Sequence, residues 1–257
     1  MKQKRSLSQV FLNDKKCIEK MVSVLDIDGK TVFEIGPGSG CISEHLAQRA
    51  KKFICVEIDP RFYKVLSDKF AQKLNTEVVA ADVLKFPLSK VGGKIVVFGN
   101  VPYQISSDII EYLISYRSQI KQAYLTFQKE FVQKLLAKPS SSFYGILSCR
   151  IQYYAKIKKI FDISAESFCP KPKVDSSFIR LEFYKKPLYK AKDEKFLFDL
   201  ITKAFSQRRK KIINSLAIDE PEKVLLSLKI NPNLRAEDLS LKEYVAIANN
   251  FSILSQK

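Results

Sequence analysis

Asn100-Val101-Pro102-Tyr103 follows directly on the apolar run Lys94-Ile95-Val96-Val97-Phe98-Gly99, and its residue types suit one difficult reaction, transfer of a methyl group to the exocyclic amine of a nucleobase. Such an amine is a poor nucleophile, because its lone pair is delocalised into the ring and no ordinary side-chain base can remove its proton first. The Asn100 amide oxygen and a backbone carbonyl can help in another way, by accepting hydrogen bonds from both N–H groups. That fixes the nitrogen beside a methyl donor and favours the lone pair turning out of the ring plane. Tyr103 adds a stacking face. An Asn and a Pro closing a strand are also ordinary turn chemistry, so the tetrapeptide gains meaning only from its place in the chain.

That place is the end of one strand in a repeating series. Thr31–Ile35, Phe53–Val56, Glu77–Ala80, Ile95–Phe98 and Ala123–Phe127 read as buried parallel strands, and the segments between them, such as Cys41–Ala50 and Arg61–Leu74, carry helical spacing. This is the rhythm of a doubly wound α/β sheet. Phe178–Tyr184 alternates as a last strand before Lys185-Lys186-Pro187 breaks the pattern. Beyond it Glu194–Ser206, Arg208–Leu216, Pro221–Leu228 and Leu241–Phe251 read as helices, with no further strands. A catalytic domain over 1–186 and a small all-helical domain over 187–257 are therefore expected.

Three further motifs stand at successive strand ends. Glu34-Ile35-Gly36-Pro37-Gly38-Ser39-Gly40 places a glycine turn between the first strand and its helix, where a ligand can approach the backbone. Its spacing is G-x-G-x-G with Cys41 next, so the dinucleotide pattern G-x-G-x-x-G is not met, and Pro37 removes an N–H that a pyrophosphate could have used. Glu57 and Ile58 end the second strand at the separation where an acidic residue meets a ribose diol. Asp82 and Val83 end the third, where a carboxylate can accept from an adenine amine. Ribose, adenine, no phosphates and a cation that tolerates carboxylates describe S-adenosylmethionine. These carboxylates could alternatively serve only as helix caps.

The chain has 257 residues, 46% of them hydrophobic, which allows one full α/β domain plus a small appendage. Its net charge of +17 points to a polyanionic partner, although a lysine-rich composition alone can arise from a biased genome. The five cysteines, at positions 17, 41, 55, 149 and 169, form no C-x-x-C pair, which argues against a zinc site or a disulfide framework and for a reducing cytoplasm. No metal is expected. The basic start, Met1-Lys2-Gln3-Lys4-Arg5, has no apolar stretch behind it, and no apolar run approaches the length of a bilayer span.

At this point the residues resemble a known family, the rRNA adenine-N6 dimethyltransferases, and within it the small-subunit enzymes named for kasugamycin resistance. Gln9-Val10-Phe11-Leu12-Asn13-Asp14 resembles the N-terminal cofactor-lid motif, with Ser8 and Val10 in place of its glycine and its Asn or His. A side-chain contact to the cofactor is lost at Val10, whereas a backbone contact would survive. Glu34–Gly40, Glu57, Asp82 and Asn100–Tyr103 match the cofactor and catalytic motifs, and Gln104 stands where the family often has Asn. Gln128-Lys129-Glu130, Tyr144–Ser148 and Phe168-Cys169-Pro170-Lys171-Pro172-Lys173-Val174-Asp175-Ser176 match three more segments. In the C-terminal part, Phe205–Lys210 resembles F-x-Q-R-R-K, and Arg235–Ser240 resembles R-A-E-x-L-S, a pair that the macrolide-resistance methyltransferases generally lack.

The resemblance implies a Rossmann-like class I S-adenosylmethionine-dependent methyltransferase. Gln9, Val10, Leu12, Gly36, Gly38, Glu57, Ile58, Asp82, Val83 and Asn100 would bind the cofactor; Asn100 and Pro102 would hold the target amine; Tyr103 and Phe168 would stack on a flipped adenine. Arg208, Arg209 and Lys210 would meet RNA phosphates, although a basic run on a helix is ordinarily a solvated face. His45, the only histidine, lies behind the glycine loop and reads as structural. The expected activity is dimethylation of two adjacent adenosines near the 3′ end of small-subunit rRNA, by a cytoplasmic monomer acting on assembling small subunits. Large-subunit resistance methylation, DNA adenine methylation and a non-catalytic assembly role are the alternatives.

Overall fold

A computed structural model of the chain describes residues 10–254. Among these, the chain forms two compact units: residues 10–132 with Lys156–Phe183, and Gln133–Ala155 with residues 184–254.

The first unit holds a seven-stranded sheet. In chain order its strands are β2 (Thr31–Ile35), β3 (Lys52–Glu57), β4 (Thr76–Ala80), β5 (Ile95–Asn100), β6 (Ile120–Gln128), β7 (Ala155–Ile163) and β9 (Ser176–Phe183), and across the sheet they lie in the order β4-β3-β2-β5-β6-β9-β7. The pairs from β4 through β6 are parallel, and β9 is antiparallel to β6. Strand order reverses between β2 and β5, and that is where an open α/β sheet leaves a crevice at its carboxyl edge. Apolar runs such as Val32-Phe33 and Val96-Val97-Phe98 bury both faces of the central strands. Glu77–Ala80, expected as a buried strand, is instead half exposed because β4 closes the sheet's edge.

Helix α1 (Lys15–Ser23) precedes β2, and α2 (Ser43–Arg49), α3 (Pro60–Phe70) and α4 (Ser106–Ser115) lie in the crossovers of this unit. Two start on acidic caps: Asp14 accepts from the Cys17 N–H at 3.1 Å, and Asp59 accepts from the Arg61 N–H at 3.0 Å. A separate two-residue strand, β1 (Phe11–Leu12), pairs antiparallel with β8 (Phe168–Cys169).

Helix α5 (Lys129–Leu136) leads into the second unit, which contains α6 (Ile146–Tyr154), α7 (Glu194–Ser206), α8 (Pro221–Ser227) and α9 (Leu241–Leu254). The expected division at residue 187 puts all of 1–186 in one domain. In the structure Gln133–Ala155 instead clusters with the C-terminal segment, because its tyrosines are apolar partners for the helices there. Tyr153 packs edge-on to Phe198 at 5.4 Å, Tyr144 to Phe205 at 6.1 Å, and the Tyr154 hydroxyl donates to Glu194 at 2.7 Å.

The expected helix over Arg208–Leu216 is not formed. Residues 207–209 turn, Lys211 bridges to Arg235, and only Ile212–Asn214 makes one 3₁₀ turn. The backbone N–H groups of Ile212 and Ile213 donate sideways to the carbonyls of Leu234 and Pro232, at 2.6 and 3.4 Å, so they are not available for a helical ladder.

Candidate active site

The glycine turn after β2 owes its shape to two needs. Gly36 and Gly38 have φ of +59° and +57°, a region that costs other residues energy, and a Cβ on Gly38 would come within 2.7 Å of the Phe11 ring. Phe11, on the lid strand β1, therefore closes directly over the turn. Under it lies a cavity of about 240 Å³ at the carboxyl ends of β2 to β5.

Most of the cofactor residues expected from sequence line this cavity: Val10 and Leu12 from the lid, Gly36 and Gly38 from the turn, Glu57 and Ile58 after β3, Asp82 and Val83 after β4, and Asn100 after β5. Pro102 lines it as well. Gln9 lies outside the described residues. Among the described lining residues there is no lysine or arginine, whereas three carboxyl side chains, Glu34, Glu57 and Asp82, face it. A phosphate-bearing ligand would find no counter-charge here; a cation with ribose hydroxyls and an adenine finds acceptors.

Glu57 is 3% exposed and held at both oxygens, accepting from the Gly38 N–H at 2.9 Å and the Asp59 N–H at 2.8 Å. A carboxylate has about four acceptor sites, so about two remain for a ribose diol. Burial pushes its pKa up, and the two backbone donors oppose that shift. Asp82 uses Oδ1 to cap the short turn Val83–Lys85, accepting from the Leu84 N–H at 3.0 Å. Asp59, in contrast, is a structural cap: it is 1% exposed and paired with Arg61 at 2.6 Å.

Asn100 ends β5 and donates through Nδ2 to the Val10 carbonyl at 3.3 Å. This orients the amide, leaving Oδ1 able to accept. The Val10 carbonyl, expected from sequence to keep a backbone contact to a cofactor, thus ties the segment before β1 to the end of β5. The Pro102 carbonyl accepts from the Ile105 N–H at 3.1 Å and keeps one lone pair. Tyr103 is half-buried beside the cavity.

Phe168, expected to stack on the base, is 4% exposed, belongs to the core cluster with Leu12 and Phe178, and, like Tyr103, is not among the residues lining the cavity. The Ser167 hydroxyl just before it donates to Asp14 at 2.9 Å, fastening the lid's exit to the same segment.

Glu34 was legible only as part of the glycine motif. It is 3% exposed, and its Oε2 has no hydrogen-bond partner. Burial pushes its pKa up to about 8; the Ser43 hydroxyl opposes this and the Glu57 charge adds to it. Cys55, its register partner on β3, also faces it. The folded chain therefore holds a proton that the unfolded chain releases above pH about 4.5, so stability should fall as pH rises toward about 8. The slope is up to about 1.4 kcal/mol per pH unit. In Glu34→Gln this fall should flatten, read as Tm of the ligand-free protein between pH 5 and 8. An unchanged slope would assign the effect to another group.

In the second unit, Arg208 is engaged internally: its Nε pairs with Glu237 and its Nη2 donates to the Ser142 carbonyl at 2.8 Å. The Ser140 N–H and hydroxyl bond the Glu237 carbonyl and Asp238 at 2.8 and 3.1 Å, so Arg208 helps brace a loop. Arg209 and Lys210 are exposed. His45 is exposed on α2 and does not line the cavity. Among the described residues no cluster suited to a metal occurs, and no helix is long and apolar enough to cross a membrane.

Comparison with known proteins agrees with this geometry. Residues 1–252 match the family described as ribosomal RNA adenine dimethylase. Proteins named ribosomal RNA small subunit methyltransferase A are similar over nearly the whole chain. That of Fusobacterium nucleatum is 37% identical, covering 97% of this chain and 98% of its own. That of Geobacillus sp. (strain WCH70) is 36% identical, covering 96% and 90%. Among solved structures, a dimethyladenosine transferase from Plasmodium falciparum superposes with a TM-score of 0.82 at 26% identity, covering 95% of this chain and 98% of its own. The 23S rRNA methyltransferase ErmE does so with a TM-score of 0.73 at 25% identity, covering 94% and 99%. With motifs, fold and relatives in agreement, this chain belongs to the ribosomal RNA adenine dimethylase family, whose members are S-adenosylmethionine-dependent methyltransferases.

Proposed function

We propose that this protein transfers methyl groups from S-adenosylmethionine to the N6 amines of two adjacent adenosines near the 3′ end of small-subunit rRNA, giving N6,N6-dimethyladenosine. In this reading it acts in the cytoplasm as a monomer on assembling small subunits. Asn100 carries the proposal: an amide oriented by the Val10 carbonyl, with Oδ1 left to accept, at the end of β5 and against a cavity without cations.

The buried, unpartnered Glu34 Oε2 and the spare acceptor sites of Glu57 and Asp82 fit the cofactor, and these residues would hold it. S-adenosylmethionine, when bound, supplies an electrophilic methyl group on a sulfonium centre. Asn100 Oδ1 and the Pro102 carbonyl hold the target amine and draw its lone pair out of conjugation. Tyr103 offers the base a face. The surplus proton leaves to water, since among the described residues no histidine or lysine lines the cavity.

Small-subunit specificity is supported by the F-x-Q-R-R-K and R-A-E-x-L-S segments and by the names of the relatives. It is tested by tritiated methyl transfer to each purified subunit from unmethylated cells, with the labelled nucleoside identified by chromatography. Label should enter incompletely mature small subunits as methylated adenosine. Label in large subunits would favour the large-subunit alternative.

RNA affinity should fall steeply with salt. Since Arg208 is spent on Glu237, the exposed pair Arg209 and Lys210 is the better probe. Neutralising both should reduce the log–log salt slope by roughly 1.4 to 1.8, two phosphates' worth, with S-adenosylmethionine affinity intact. An unchanged slope would remove them from the RNA surface.

A further inference from the structure

Because β9 runs antiparallel to β6, its first residue lies at the edge where the parallel strands end. That residue is Ser176, which is 0% exposed and directly opposite Gln128, the last residue of β6. From there its hydroxyl shares a 2.9 Å hydrogen bond with the Tyr103 hydroxyl. Tyr103 opens the short turn Tyr103–Ile105 right after Pro102, and burial pushes its phenol pKa up, so the bond keeps its proton at neutral pH.

A tyrosine ring turns about two torsions, and a backbone position alone fixes neither its tilt nor its face. A tether at the far end fixes both. The anchor is itself rigid: Asp175 accepts from the Ala165 N–H through Oδ1 at 3.0 Å and from the Lys129 N–H through its carbonyl at 3.0 Å, and Ser176 is in the sheet.

We propose that Ser176 is a positioning residue for the target adenine, holding the Tyr103 ring at the tilt on which the base stacks. This rests on the reading of Tyr103 as the stacking face. Tyr103 directly follows Pro102 and is only half-buried, whereas Phe168 is 4% exposed, and an error in the tilt of the Tyr103 ring would misplace the amine between Asn100 and the methyl donor.

The test compares single-turnover methylation of unmethylated small subunits by the full-length protein and by Tyr103→Ala, Tyr103→Phe, Ser176→Ala and the double variant Tyr103→Phe/Ser176→Ala. S-adenosylmethionine affinity is measured alongside by calorimetry, and folding by Tm. Tyr103→Phe and Ser176→Ala each delete one side of the same hydrogen bond with little change of shape. Each should slow the reaction about five- to tenfold, the worth of one such bond, with cofactor affinity within about twofold of the parent. The double variant should be no slower than either single one, because the two changes remove the same interaction. Full rate in Ser176→Ala, multiplying losses in the double variant, or an equal loss of cofactor affinity would overturn the proposal. Full rate in Tyr103→Ala would instead overturn the stacking reading on which it rests.

Discussion

Asn100→Ala is expected to slow single-turnover methylation by a factor of about 10² to 10³, or roughly 3 to 4 kcal/mol of transition-state stabilisation, as loss of a preorganised polar contact to a reacting group does. The amide acts at two ends. In the proposed mechanism its oxygen accepts from the adenine amine, while its Nδ2 holds the Val10 carbonyl. The first loss appears in the chemical step; the second should weaken S-adenosylmethionine binding by only about 1 kcal/mol, the net value of one hydrogen bond. Asn100→Asp separates the two, since it keeps an acceptor but turns the Val10 contact into a repulsion between oxygens. A near-normal single-turnover rate in Asn100→Ala would remove Asn100 from the mechanism.

Glu57→Ala should weaken S-adenosylmethionine binding by about 2 kcal/mol or more through loss of charge-assisted hydrogen bonds to the ribose, with RNA affinity unchanged. The structure adds a second effect. Removing the carboxylate also strips the Gly38 and Asp59 N–H groups of their acceptor in a buried site, at about 1 to 3 kcal/mol each, so Tm should fall as well. Glu57→Gln keeps one acceptor oxygen and should lose less stability than Glu57→Ala. Calorimetric titration showing unaltered cofactor affinity in Glu57→Ala would refute the assignment.

What the sequence reveals here follows the range of the interactions involved. Thr31–Ile35 and Glu194–Ser206 are read to the residue because their patterns are local and match burial on one element. The glycine turn, Glu57, Asp82 and Asn100 are legible because strand ends in an open sheet all open on the same crevice. Strands β1 and β8 are two residues each, too short for any period to show, and β7 hides its alternation behind Lys156, Lys158 and Lys159 at the sheet's edge. Arg208–Leu216 has helical spacing, yet the Ile212 and Ile213 N–H groups find partners at Leu234 and Pro232, far outside a helical turn. Phe168 shows the same limit: its motif was plain, but its burial in the core cluster with Leu12 and Phe178 was not. The Ser167 to Asp14 contact joins residues 153 apart, and the proton on Glu34 depends on walls supplied by three elements.

The pairing of β1 with β8 bears on how two methyl groups reach one nitrogen. Dimethylation needs a fresh cofactor for each transfer, so the lid must release its hold at least once between them. A clasp of two residues a side is a small cooperative unit, able to part without melting the sheet below it. Yet its two halves belong to different neighbourhoods: one roofs the glycine turn, the other begins the segment that ends at Ser176, whose hydroxyl meets that of Tyr103. Parting the clasp is expected to loosen the grip on cofactor and base together. Turnover of the spent cofactor and retention of the half-methylated adenosine are expected to compete if this one short ribbon parts between transfers.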